Sequence, residues 1–162
     1  MPSMKVRVYI ETSMISYLTA RPSRDVVAAA HQQISLDWWE RRRHNFDVVA
    51  SLLVVNEARL GNPESAARRL AVLEGIPLLE VTASAQELAV TIVQKGLLPE
   101  VAYPDALHIA TAAVHQVDYL LTWNCNHIAN AEILPRIALI CESFGLALPY
   151  VCTPEELLGE SQ

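Results

Sequence analysis

Four polar segments stand where the chain changes from one kind of secondary structure to another. Glu11 follows the apolar run Val6-Arg-Val-Tyr-Ile10, and Glu57 sits in Val-Val-Asn-Glu-Ala just after a second Val-rich run. Asp105 comes directly after Pro104 at the head of an alanine-rich stretch, and Asn124 and Asn126 follow Asp118-Tyr-Leu-Leu-Thr122-Trp123. Carboxylates brought close together repel and raise one another's pKa, so a dry cluster of them is costly. A hard divalent cation such as Mg²⁺ or Mn²⁺ removes that cost, because it prefers carboxylate, amide and water oxygens. Such an ion engages phosphate oxygens and activates water, which points to metal-assisted hydrolysis of a phosphodiester.

On this reading the catalytic candidates are Glu11, Glu57, Asp105 and Asn124, and the metal ligands are these four with Asn126. Thr12, Ser13 and Thr122 can hydrogen-bond the carboxylates from a second layer. His108, three residues after Asp105, shares its helix face and joins that supporting set. Plainer roles exist for several of them. An acid in the first turn of a helix suits the dipole, Asn124 and Asn126 are common turn formers, and His108 can be a hydrogen-bonded core histidine.

Short β-rich runs alternate with helical stretches, which predicts an α/β sandwich with a mostly parallel sheet. In such a sheet every strand's carboxyl end lies on one edge, where open α/β folds place their ligands. Val6 to Ile10 is the first predicted strand, within a strand-like segment from Met4, and a short helix follows to about Leu18. Pro22 and Ser23 introduce a long helix to about Arg43, with Val27, Ala30, Ile34 and Trp38 near one face. Phe46 to Ser51 is the second strand and leads into a helical turn carrying Glu57.

Asn62-Pro63 caps the next helix and Gly75 ends it. Pro77 to Val81 is a third strand. Ser84-Ala-Gln-Glu87 reads as a capping box, opening a helix whose core face is Ala85, Leu88, Ala89, Ile92 and Val93 and which stops at Gly96. Pro104 begins a thin, alanine-rich helix that leads into a fourth strand, Asp118 to Trp123. Ile133, Ile137, Ile140, Cys141 and Phe144 mark a last helix. Residues 1–150 read as a single domain. Residues 151–162 read as a tail with a second capping box, Thr153-Pro-Glu-Glu156, able to form a short helix or lie on a partner.

The 162 residues are 52% hydrophobic, enough for a core in one domain and too apolar for disorder. No apolar run approaches the roughly 20 residues of a membrane span. The first residues carry no signal-peptide h-region, so a cytoplasmic location is expected. Three cysteines without CxxC spacing argue against a disulfide framework or a thiolate zinc site. A net charge of −6 excludes an extended basic nucleic-acid face, so a nucleic-acid substrate must be held locally, by metal and a few arginines. The one basic run, Arg41-Arg-Arg43-His44, suits a solvated helix C-terminus. There is no Gly-rich phosphate loop, nucleophile elbow or HExxH motif.

Taken together, Ile10-Glu11-Thr12-Ser13, Glu57, Asp105-Ala-Leu-His-Ile-Ala-Thr-Ala112 and Leu120-Leu-Thr122-Trp-Asn124 resemble the PIN-domain family, and within it the VapC-type ribonuclease toxins. The resemblance runs over nearly the whole chain. It differs from the usual pattern in Glu11, where the family has Asp, and in the neutral Asn124. It implies a three-layer α/β/α sandwich, Mg²⁺- or Mn²⁺-dependent endoribonuclease activity, a small antitoxin that covers the site, and a homodimer. A catalytically weak PIN-like module that binds RNA or a protein partner is the second reading of the same residues.

Overall fold

The computed structural model describes residues 5–159. The expected strand character of Met4 and the end of the tail, residues 160–162, lie outside them. Strand β1 (Arg7–Ile10) contains three consecutive buried residues, Val8, Tyr9 and Ile10. It pairs in parallel with β2 (Asp47–Ser51) on one side and β4 (Tyr119–Leu121) on the other. β3 (Leu78–Leu79) and β5 (Tyr150–Cys152) complete a five-stranded sheet of order β3-β2-β1-β4-β5, parallel throughout. Unbroken apolar runs in β1 and β4 are what a parallel sheet covered on both faces demands.

The helices pack as two groups. α1 (Thr12–Thr19) contacts α2 (Val26–Arg41), α3 (Leu52–Ala58) and α4 (Pro63–Leu73). α5 (Ala83–Gln94) contacts α6 (Tyr103–Val114) and α7 (Leu134–Ser143). The result is the three-layer α/β/α, PIN-like sandwich expected from the alternation of elements. No helix among the described residues is long and apolar enough to cross a membrane.

α6 is buried without interruption from Ala106 to Ala113. Its alanines let the backbone approach α5, while Leu107 and Ile109 supply the larger apolar surface. Burial of each of these two is worth about 1.5–3 kcal/mol. Asn62 caps α4 by accepting from the Glu64 and Ser65 amides, and Gly75, with φ +78°, provides the left-handed residue that ends it.

Several local expectations are corrected. The buried side of α2 contains Ser35 and Trp38, whereas Val27 and Ala30 are exposed. The helix is turned because Trp123 anchors it: Ser35 Oγ accepts from Trp123 Nε1 at 2.8 Å, and His31 stacks on the indole at 3.9 Å. The cap of α5 is Thr82, not Ser84, with Thr82 Oγ1 accepting from the Ala85 amide. α6 starts at Tyr103, one residue before Pro104. Tyr150–Cys152, at the expected start of the tail, is strand β5, too short to display an alternating pattern. Glu156 accepts from the Thr153 amide at 2.7 Å, but Thr153 Oγ1 also donates to Glu156 instead of accepting from its amide, so only half of the expected capping box forms, and Glu155–Leu157 is one 3₁₀ turn.

Candidate metal centre

The sheet order turns at β1: the chain passes from β1 outward to β2 and β3, then crosses to β4 on β1's other side. The crevice beyond the carboxyl ends of β1 and β4 is therefore the switch point, the place where an open parallel sheet leaves room for a ligand. Ile10 and Leu121 are register partners there, and the Glu11 amide donates to the Leu121 carbonyl at 3.0 Å. The next side chains out are Glu11 and Thr122. Thr122 Oγ1 donates to Glu11 Oε1 at 2.6 Å, and Ser13 donates from both its hydroxyl and its amide. Glu11 is 5% exposed and caps the N-terminus of α1, so its position is fixed by strand end, helix start and neighbouring strand together.

Glu57 arrives from the other neighbour of β1. Ser51 ends β2 and caps α3, and one and a half turns later Glu57 points back toward β1. Its Oε1 accepts from Thr12 Oγ1 and from His108 Nε2, both at 2.6 Å. Burial opposes its ionised form, but the hydrogen bond and charge of His108 and the hydrogen bond from Thr12 outweigh this. Its carboxyl therefore titrates below the usual glutamate range. An ionised carboxylate only accepts, so Nε2 of His108 carries the proton. Nδ1 of the same fully buried ring is 2.7 Å from the Tyr9 hydroxyl, which is 2.8 Å from Ser51 Oγ. Burial and the nearby carboxylates hold Tyr9 as the neutral phenol, despite the bond from Ser51.

Donor atoms of Glu11, Glu57 and His108 all lie within 4.8 Å of one another. Asp105 is not part of this trio. It heads α6 one turn before His108, with Oδ2 2.9 Å from His127 Nδ1. His127 in turn donates its amide to Asn124 Oδ1 at 3.0 Å, and the Asn124 amide donates to Thr122 Oγ1 at 2.9 Å. A chain of hydrogen bonds thus joins Asp105 to Glu11 through His127, Asn124 and Thr122. The exposed Asn126 places Nδ2 3.4 Å from His127 Nε2.

Within this trio the oxygens of Glu11 and Glu57 are the donors that fit a hard divalent cation, while His108, with Nε2–H given to Glu57 and Nδ1 against Tyr9, positions Glu57 rather than offering a lone pair. The sequence pattern located Glu11, Glu57, Thr12, Ser13 and Thr122 at this edge, and it named His108 only as a supporting residue. Two further participants were missed. Tyr9 lies inside an apolar strand, where its hydroxyl gives no signal in a one-dimensional pattern. His127 does carry a signal, since it stands three residues after Asn124 in a polar loop.

No family model matches the chain, and no curated protein matches it in sequence. Solved structures do. VapC20 of Mycobacterium tuberculosis, a sarcin-ricin loop cleaving toxin, superposes with a TM-score of 0.59 at 18% identity, covering 76% of this chain and 95% of that one. VapBC2 of Rickettsia felis, solved bound to a promoter DNA fragment, gives 0.58 at 16% identity, covering 91% and 98%. A toxin-antitoxin complex of Klebsiella pneumoniae gives 0.55 at 19%, covering 91% and 97%. These likenesses establish that the chain has the fold of the VapC-type toxins.

Proposed function

We propose that this chain is a metal-dependent endoribonuclease of PIN, VapC type that hydrolyses RNA phosphodiester bonds, and that it is the toxin of a toxin-antitoxin pair. The observation that carries the reading is the convergence of Glu11, Glu57 and His108 at the switch point of the sheet. The shared fold with a toxin described as cleaving the sarcin-ricin loop, and with toxin-antitoxin complexes, supports it. A small antitoxin, a second copy of the chain and a cytoplasmic setting complete the proposal.

Glu11 and Glu57 would hold Mg²⁺ or Mn²⁺, with Asp105 as the third carboxylate and Asn124 and Asn126 as neutral oxygen donors beside it. The ion, when bound, supplies Lewis-acid activation of a phosphate oxygen and of water. The chain's own residues prepare the site. Thr122 and Ser13 fix both oxygens of Glu11, and His108 and Thr12 fix Oε1 of Glu57, leaving Oε2 without a hydrogen-bond partner among the described residues. His127 holds Asp105 Oδ2, and Oδ1 would take the proton of the attacking water as its oxygen bonds to phosphorus and the bond to the bridging ester oxygen breaks, that oxygen being protonated from solvent as it leaves.

The test is cleavage of single-stranded RNA by the purified chain with Mn²⁺ or Mg²⁺, beside Asp105→Asn. The expected result is a loss of about a hundredfold or more in the variant; equal rates would remove Asp105 from the mechanism. One feature favours a binding module without catalysis: the Asn124 carbonyl oxygen is already engaged by the His127 amide. That reading predicts no heat of Mn²⁺ binding at millimolar metal.

A further inference from the structure

One and two turns beyond the metal centre, α1 lines a second feature with the opposite charge. Thr12, Ser16 and Thr19 are spaced by four and three residues, so they share one face of the helix. Thr12 binds Glu57, while Ser16 and Thr19 line a cleft of about 500 Å³ walled by Arg68 and Arg69 of α4 and by Arg21 with its partner Glu64. From Thr12 to Thr19 the helix advances about 10 Å, so a polar stripe runs directly from the carboxylates to the arginines.

The two α4 arginines are pinned. Arg68 donates Nε to the Thr19 carbonyl at 3.1 Å and Nη2 to Ser65 Oγ at 3.2 Å. Arg69 donates to the carbonyls of Ala58 and Leu60, at the end of the helix that carries Glu57. Capping helix C-termini is one function of these contacts, but it does not neutralise the site. Each terminus offers roughly half a negative charge against a full guanidinium. Neither arginine has a carboxylate within salt-bridge distance among the described residues; Arg21 alone is paired, with Glu64 at 3.5 Å. In a chain with six more acids than bases, the carboxylate of the cleft, Glu64, is matched by Arg21, so the pinned guanidiniums of Arg68 and Arg69 leave it with net positive charge beside the metal centre, a local anion site.

The cleft shares Ser16, Ala20 and Arg21 with a neighbouring hollow of about 400 Å³ that is lined by Tyr17. A basic groove joined to an aromatic ring is the pairing that single-stranded nucleic acid uses, phosphate on the cations and base on the ring. Tyr17 is held edge-to-face by His31 at 5.2 Å and Trp123 at 6.2 Å, so the part of its ring that lines the hollow is a fixed platform, one that an acidic peptide held by the arginines would not use.

We propose that this double cleft binds an RNA nucleotide flanking the scissile phosphate, its phosphodiester on Arg68 and Arg69 and its base against Tyr17. The proposal rests on the ribonuclease reading for its position, but its binding test does not depend on cleavage. A fluorescein-labelled ten-nucleotide single-stranded RNA is titrated with the chain in EDTA and followed by anisotropy across a salt series. Arg68→Gln and Arg69→Gln should each weaken binding about tenfold and flatten the log-log salt dependence by about 0.7 per lost phosphate contact. Tyr17→Leu should weaken it by about five- to a hundredfold without changing the salt slope.

Because Arg68 and Arg69 also brace helix ends, melting curves accompany each variant. If a Gln variant unfolds, Tyr17→Leu, with its own melting curve, gives the answer. Affinities within twofold of the parent, at unchanged salt slope, would overturn the subsite even if Mn²⁺-dependent cleavage persists. Loss of RNA binding in these variants of a chain that never cleaves would keep the subsite and defeat the nuclease reading instead. An Asp/Glu decapeptide that binds through Arg68 more tightly than the RNA would identify a protein-docking site and overturn the proposal.

Discussion

His108 donates Nε2–H to Glu57 Oε1 across 2.6 Å while its Nδ1 lies 2.7 Å from the hydroxyl of Tyr9. One ring thereby ties an acid on α3 to the central strand, from a helix that follows 51 residues later. A histidine held at both nitrogens has one orientation, and so does the carboxylate it supports.

Tyr9→Phe tests that support without touching a ligand. It leaves His108 Nδ1 and Ser51 Oγ without their shared partner in a fully buried place. Stability in urea should fall by about 1–3 kcal/mol. Mn²⁺ affinity, read by calorimetry, should fall about ten- to a hundredfold, as loss of an orienting outer partner does.

The Glu57–His108 contact also has a pH signature. Glu57 titrates below its ordinary value of 4.5 in the folded chain. Its stabilisation is thus complete above the unfolded value and is lost as pH falls through the folded one. Wild type and Glu57→Gln should differ in urea stability at pH 7, and the difference should shrink steadily under acid below about pH 4.5. A constant gap from pH 7 to pH 3 would show that the charge of Glu57 contributes nothing.

The sequence was informative wherever a residue's role follows from its place in a local pattern. Glu11 after Ile10 and Asp105 after Pro104 are such places, and a parallel α/β alternation is enough to bring the first of them to the ligand edge. Asn62 and Gly75 bounded α4 for the same reason. The pattern failed where a tertiary partner decides. Ser35 and His31 look like surface residues of α2 until Trp123 arrives to bond one and stack on the other. Tyr9 reads as core until His108 reaches its hydroxyl, and His127 reads as loop until Asp105 is beside it. The three residues of β5 hold too few positions for any periodicity to register.

Packing of α6 against α5 depends on small side chains. Ala110 is wholly buried at the centre of that helix. Ala110→Leu should cost about 1–3 kcal/mol through overpacking, measurable as a lower urea midpoint with an unchanged slope. Val101→Ala, at an 85% exposed position, should change the midpoint little.

The three thiols should separate cleanly in a reactivity assay. Cys125 is exposed, whereas burial pushes Cys141 up to about 11 and Cys152 up to about 12. A disulfide reagent at pH 8 should therefore modify one cysteine rapidly in the folded chain and the other two only in denaturant. Rapid modification of all three would mean that α7 and β5 open readily from the sheet.

The most direct test of the central claim is the rate of RNA cleavage as a function of Mn²⁺ concentration for the wild-type chain and for Glu11→Gln. The metal-centre account predicts metal-dependent cleavage by the wild type that saturates. In Glu11→Gln it predicts a curve displaced to higher Mn²⁺ by about tenfold or more, with a lower plateau, because a charged ligand has become neutral. Superimposable curves, or a wild-type chain that cleaves no RNA at any Mn²⁺ concentration, would contradict it.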